Sequence, residues 1–182
     1  MPVIKMTLMQ GYDDQTRIKL SQRLTDAVLA TIAAPLDGVT VAIDEVQPTS
    51  YMRGRQARIP GAPLPDPGDV VQAFLAALES RDLERARELV TDDFVMTFPG
   101  NNTFTQFEEL VTWSKTRYQS ISKTFDSFEE CFADTGVVVY CYGTLQGEWL
   151  DGSGFEGIRF IDRFEFVAGK ISRQMVWNDL DC

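Results

Sequence analysis

The sequence predicts an α+β protein in two parts. A short β-α-β unit comes first, and a domain with helices on one face of a curved antiparallel sheet follows. Three observations carry this reading. Residues 59–68 hold four of the chain's eight prolines, a density that neither a helix interior nor a central strand tolerates. The charge steps at the same place: residues 1–65 carry 7 basic and 6 acidic side chains, residues 66–182 carry 10 and 21. The hydrophobic period also changes order, from strand-helix-strand to short helices followed by a run of strands. The expected divisions are a first unit over 1–58, an extended linker over 59–67 and a second domain over 68–182.

Val3 to Met9 reads as a strand. Gly11-Tyr12-Asp13-Asp14 reads as a turn into a helix N-cap, where acidic groups are favoured. From Asp14 to Ile32 the apolar residues recur at helical spacing, and Ala34-Pro35-Leu36-Asp37-Gly38 stops the helix. Val39, Val41 and Ile43 alternate with Thr40, Ala42 and Asp44, a second strand. Two strands joined through a helix should run parallel with a right-handed crossover. So small a unit has little core, and self-association is expected.

Beyond the linker, helices are expected over about 69–80, 82–90 and 106–120. Strands are expected over 94–98, 123–133, 136–149, 155–167 and 170–180. The parity of 158–167 is informative. Ile158, Phe160, Asp162, Phe164 and Phe166 share one face, with Asp162 the one charge on an apolar stripe. With Ala168-Gly169 as the turn, Asp162 falls opposite Met175, Phe160 opposite Trp177 and Ile158 opposite Asp179. One pocket face would then hold Asp162, Trp177 and Asp179. A carboxylate in apolar surroundings can act as acid or base. Asp162 could equally pair with Arg159, Arg163 or Arg173, and Asp179 could be solvated. Trp113, Trp149, Tyr140 and Tyr142 read as core or pocket lining, Cys131 and Cys141 as buried apolar residues.

The chain has no histidine. That excludes Ser-His-Asp and Cys-His nucleophile arrangements and histidine-based zinc, iron or haem sites. Three cysteines without a CxxC spacing fit a reduced cytoplasmic setting. No metal or cofactor is expected. A net charge of −10 argues against nucleic-acid binding. No apolar run is long enough to span a bilayer, and the N-terminus has no secretory pattern. The expected partner is a small-molecule substrate.

Without histidine, acid–base chemistry near neutral pH needs another group. Pro2 follows Met1, and a small second residue permits removal of the methionine. Pro2 would then carry a secondary amine. In an apolar pocket desolvation lowers its pKa below the α-amino range of about 7.7–8.0, making it a competent general base.

The segments PVIKMTLMQGYDDQ at 2–15 and APLDGVTVAIDEV at 34–46, with the loop around Tyr51, resemble the 4-oxalocrotonate tautomerase family over residues 2 to about 58. The resemblance implies enol-to-keto proton transfer on a small 2-oxo acid or related enol, with Pro2 as base. It also implies oligomers, a dimer or a hexamer here. Tyr12 and Thr40 stand where the family's best-known members carry arginines that grip a dicarboxylate. Tyr51 stands at the family's aromatic pocket wall. Arg53 and Arg55 are either a replacement carboxylate clamp or a solvated basic loop. Tyr12 is either a donor to a developing enolate oxygen or a packing residue at a subunit boundary.

The second domain, through VVQAFLAALESRD at 70–82, LVTDDF at 89–94 and FEFVAGKI at 164–171, resembles the nuclear transport factor 2-like superfamily and its SnoaL-like cyclase group over about 67–180. The resemblance implies a cone-shaped α+β fold, and Asp179 falls where the cyclase group has its acid–base aspartate. Three functions stand: a Pro2 tautomerase with a second ligand-binding domain, a two-centre enzyme with carboxylate chemistry in the second domain, and a non-catalytic binding or assembly protein.

Overall fold

The structure, a computed structural model, describes residues 1–134 and 136–180; Cys182 lies outside them. The chain separates into two compact units, Met1–Pro63 and Leu64–Cys182.

In the first unit, strands β1 (Val3–Met9) and β2 (Thr40–Val46) pair in parallel, from Val3 opposite Thr40 to Met9 opposite Val46. Helix α1 (Asp14–Leu29) joins them. Asp13 caps it by accepting from the Thr16 N–H at 2.8 Å. Arg17 ties the turn to the sheet, donating to the Tyr12 carbonyl at 3.0 Å and to Glu45 at 2.8 Å. Gly11 has φ +136°, and a Cβ there would meet Pro60 at 2.7 Å. Only glycine admits that backbone and that approach. The helix ends three residues before the expected Ile32, with Ala30 at its C-cap. A hairpin not foreseen from the sequence follows, β3 (Met52–Arg53) against β4 (Gln56–Ala57). Gly54 and Arg55 at its tip have φ 61° and 65°, the signature of a type I′ turn. The unit's core is slight: Gly38 is its one buried residue, while Val3, Ile18, Leu36 and Met52 are more than half exposed.

In the second unit, Asp66 accepts from the N–H groups of Gly68 and Asp69 and starts helix α2 (Pro67–Glu79), with Pro67 in its first turn. Asp82 caps helix α3 (Leu83–Glu88). Strand β5 (Val90–Phe98) begins four residues earlier than expected. Strand β6 (Asn102–Phe104) and helix α4 (Phe107–Ser114) follow. The long strands are β7 (Tyr118–Ala133), β8 (Gly136–Trp149), β9 (Gly154–Val167) and β10 (Lys170–Asn178). Helix α4 ends six residues before the expected Ser120. Tyr118 to Phe125 alternate at period two and extend β7 to pair with the far end of β8, Tyr118 opposite Trp149.

The sheet order is β6-β5-β10-β9-β8-β7. It is mixed, which corrects the expected antiparallel sheet: β5 lies parallel to β10. These strands are far apart in sequence, so no hairpin forces them antiparallel. Bulges on β7 sit beside glycines of β8. A Cβ on Gly143 or Gly147 would fall 2.0 or 2.1 Å from the carbonyl oxygens of Thr124 and Ser120. Bulges and bare glycines curve the sheet around the helices. Its concave face and α2 enclose an aromatic core around Phe74, whose ring meets Phe94 at 5.6 Å and Phe164 at 6.1 Å.

Candidate functional site

Each unit holds a candidate site. In the first, Pro2 directly precedes β1 and its carbonyl accepts from the Thr40 N–H at 3.1 Å, one rung ahead of the β1–β2 ladder. Pro2 and Thr40 are thus adjacent. Tyr12 is half-buried, on the turn that Arg17 holds. Tyr51 is 43% exposed at the base of the β3–β4 hairpin. Arg53 and Arg55 are exposed on that hairpin, and among the described residues neither side chain has a hydrogen bond or ion pair. Both guanidinium groups are thus uncommitted at the hairpin tip among the described residues.

In the second unit the inward stripe is as its parity predicts: Phe160, Asp162, Phe164 and Phe166 are buried. Its opposite strand is not. The β9–β10 hairpin starts in the expected register, Lys170 opposite Val167 and Ile171 opposite Phe166. A bulge at Ser172 then shifts every later pair by one residue. Asp162 lies opposite Val176 instead of Met175, and Trp177 opposite Ile161. Gln174, Val176 and Asn178 turn inward in place of Met175, Trp177 and Asp179. Trp177 is 49% exposed. Asp179 accepts from Arg159 Nε at 2.6 Å on an exposed surface. The shared pocket face of Asp162, Trp177 and Asp179 does not form.

The concave face instead closes, with α2 and α4, on a cavity of about 570 Å³. Six of its walls are aromatic: Phe98, Trp113, Tyr118, Phe125, Phe128 and Phe160. Arg117 lies over the Trp113 ring, 4.7 Å from its centroid, and Lys123 is a second cation set among these walls. Its Nζ lies 4.4 Å from the centroid of Phe160 and pairs with the carboxylate of Asp162. Asp162 is fully buried. Gln174, itself 1% exposed, donates from Nε2 to the same carboxylate oxygen at 3.1 Å. A carboxylate only accepts, so it turns the Gln174 amide nitrogen toward itself. Among the described residues, Asp162 Oδ1 and Gln174 Oε1 are left buried without a hydrogen-bond partner.

The arginines first considered as partners for Asp162 are used elsewhere: Arg159 on Asp179, Arg163 on Glu165, and Arg173 near Glu165 at 3.9 Å. Cys141 stands opposite Asp162 on β8. Burial, with the Asp162 charge second, pushes its thiol up to about 12, so it is an inert thiol at neutral pH. Cys131, expected buried, is exposed. Burial also raises the Tyr118 phenol above its ordinary value, keeping its hydroxyl protonated in the cavity wall.

Lys123 was not among the residues singled out from sequence, though a signal existed. Ile121, Lys123 and Phe125 share one parity, and all three line the cavity. Gln174 carried no such signal, because the bulge at Ser172 sets which way it faces. Among the described residues no cluster of acidic and cysteine groups could hold a metal ion, and no helix is long and apolar enough to cross a membrane.

Residues 2–56 match the family model of the tautomerase enzymes. Residues 71–174 match that of the SnoaL-like domain. Among solved structures, the chain is similar to a nuclear transport factor 2-like protein of unknown function from Burkholderia pseudomallei (17% identity, 64% of this chain and 92% of that one, TM-score 0.54). A nuclear transport factor 2-like protein from Burkholderia thailandensis is similar over 64% of this chain and 92% of its own, at 20% identity and TM-score 0.52. IdmH, a candidate polyketide cyclase from Streptomyces antibioticus, is similar over 63% and 93%, at 18% identity and TM-score 0.51. At these identities the likeness is one of fold. No curated protein matches the chain.

Proposed function

We propose, for a chain that belongs to the SnoaL-like domain family and carries a tautomerase domain ahead of it, an isomerase that moves a proton between oxygen and carbon of a small enol. Its substrate is a 2-oxo acid or a related enol. Pro2, freed by removal of Met1, is the general base. Its secondary amine takes the enol hydroxyl proton, and the resulting ammonium returns a proton to carbon, giving the keto isomer. No electrons leave the substrate, so no redox cofactor enters. Arg53 and Arg55 hold the substrate's carboxylate, and Tyr12 donates to the oxygen on which charge develops. Thr40 borders the base, and Tyr51 walls the site against water.

The observation that carries this reading is the position of Pro2. It is the first residue of the tautomerase match. Its carbonyl bond to the Thr40 N–H holds it at the β1–β2 edge, which supports a role for its nitrogen beside that edge. Burial in an oligomer would lower the amine's pKa by desolvation and increase the fraction that can act as base at neutral pH. The second unit supplies a ligand cavity. The full burial of Asp162 beneath Lys123 and the exposure of Asp179 favour binding over carboxylate catalysis there. The test is ketonisation of phenylenolpyruvate by wild type against Pro2→Ala.

A further inference from the structure

We infer that the cavity of the second unit binds an aromatic molecule bearing one anionic oxygen group, a carboxylate, phenolate or enolate, with Lys123 as its anchoring cation. The inference rests on the second unit being a ligand-binding domain and is independent of Pro2.

Size and walls set the body of the ligand. A cavity of about 570 Å³ lies in the range of small-molecule sites. Aromatic walls favour flat rings, which can stack or meet edge to face.

Lys123 sets the head group. Its ammonium has three donors. One is committed to Asp162. The others have no acceptor among the described residues, and the side chain is 23% exposed, into the cavity it lines. The ammonium cannot swing out to solvent without leaving Asp162 charged, buried and unpaired, which is strongly unfavourable. Gln174 donates to the same oxygen of that carboxylate, and the face of Phe160 flanks the cation. The result is a preorganised cation in apolar surroundings, the arrangement that binds an oxygen anion at least reorganisation cost.

The charge count favours an anion of diffuse charge. Lys123 and Asp162 cancel, so a bound anion leaves the inner cavity at −1. Arg81 and Glu79, which also line the cavity, cancel in formal charge. Delocalised charge in an aryl carboxylate, phenolate or enolate lowers the remaining desolvation cost. Asp162 is therefore a positioning residue: it orients Lys123 and does not itself reach the ligand.

The experiment is calorimetric titration of the full chain with 2-naphthoate and with its neutral isostere 2-naphthamide. Naphthoate should bind about 10–100-fold more tightly, the range of one hydrogen bond to a charged group. Lys123→Met alone leaves Asp162 uncompensated and can fail to fold, so the variant used is Lys123→Met/Asp162→Leu, with folding checked by circular dichroism. It should keep binding naphthamide and lose the preference for naphthoate. Equal binding of the two probes by wild type overturns the role of Lys123 while leaving the cavity a ligand site. Binding of neither overturns the ligand-binding reading itself. A preference that survives in the double variant moves the anion site elsewhere. The two-probe comparison on wild type stands whether or not the variant folds.

Discussion

Lys123 on β7 and Asp162 on β9 form an ion pair across the intervening strand β8, from positions 39 residues apart in the chain. Asp162 is wholly buried and Lys123 mostly so. Removing the lysine alone strands a buried carboxylate. Lys123→Met should therefore lower stability by about 3 kcal/mol, while Lys123→Met/Asp162→Leu should recover most of that loss. Urea unfolding of the three proteins checks it. A single variant as stable as wild type would mean that the pair does not form.

The buried thiol of Cys141 gives a pH-dependent prediction. An unfolded thiol ionises near 9.0, and the folded one is held at about 12, chiefly by burial. Between those values the folded state binds more protons than the unfolded state. This contribution to stability is thus complete below about pH 9 and is lost as pH rises toward 12. Iodoacetamide at pH 8.5 should label the exposed Cys131 and leave Cys141 unmodified. Peptide mass mapping of the native protein reads this directly, and prompt labelling of Cys141 would contradict it.

Arg53 and Arg55 project from a tight hairpin without partners among the described residues. If they hold the substrate carboxylate, Arg53→Ala and Arg55→Ala should each raise KM for phenylenolpyruvate by about 10–100-fold with a smaller effect on kcat. Unchanged KM in both would leave the hairpin a solvated basic loop.

The first unit buries one residue, Gly38, and leaves Val3, Ile18, Leu36 and Met52 open to solvent. A β-α-β unit of that kind gains stability by covering its apolar faces with another copy. Multi-angle light scattering of the full chain should give a dimer or a hexamer. A monomer at micromolar concentration would contradict this.

Much of the fold was legible in the sequence. Period-two alternation marks β1, β2 and the inward stripe of β9, and the Asp13 cap and Gly11 turn mark the entry to α1. What was not legible depends on contacts made over distance. The bulge at Ser172 changes register by one residue, and nothing local announces it; it turns Gln174 inward and Trp177 out. The partner of Asp162 sits two strands away, so neighbouring arginines were the natural but mistaken candidates. Helix α4 is shorter than its composition suggests because the distal half of β8 offers Tyr118 to Phe125 a strand to pair with.

The most direct measurement of the central claim is the ultraviolet-monitored ketonisation of phenylenolpyruvate, after mass spectrometry shows that Met1 has been removed. Wild type should accelerate it, and Pro2→Ala should lose at least about 100-fold in kcat/KM, within the usual range for a general base. Equal rates for the two proteins, or a chain that retains Met1, would contradict a catalytic Pro2.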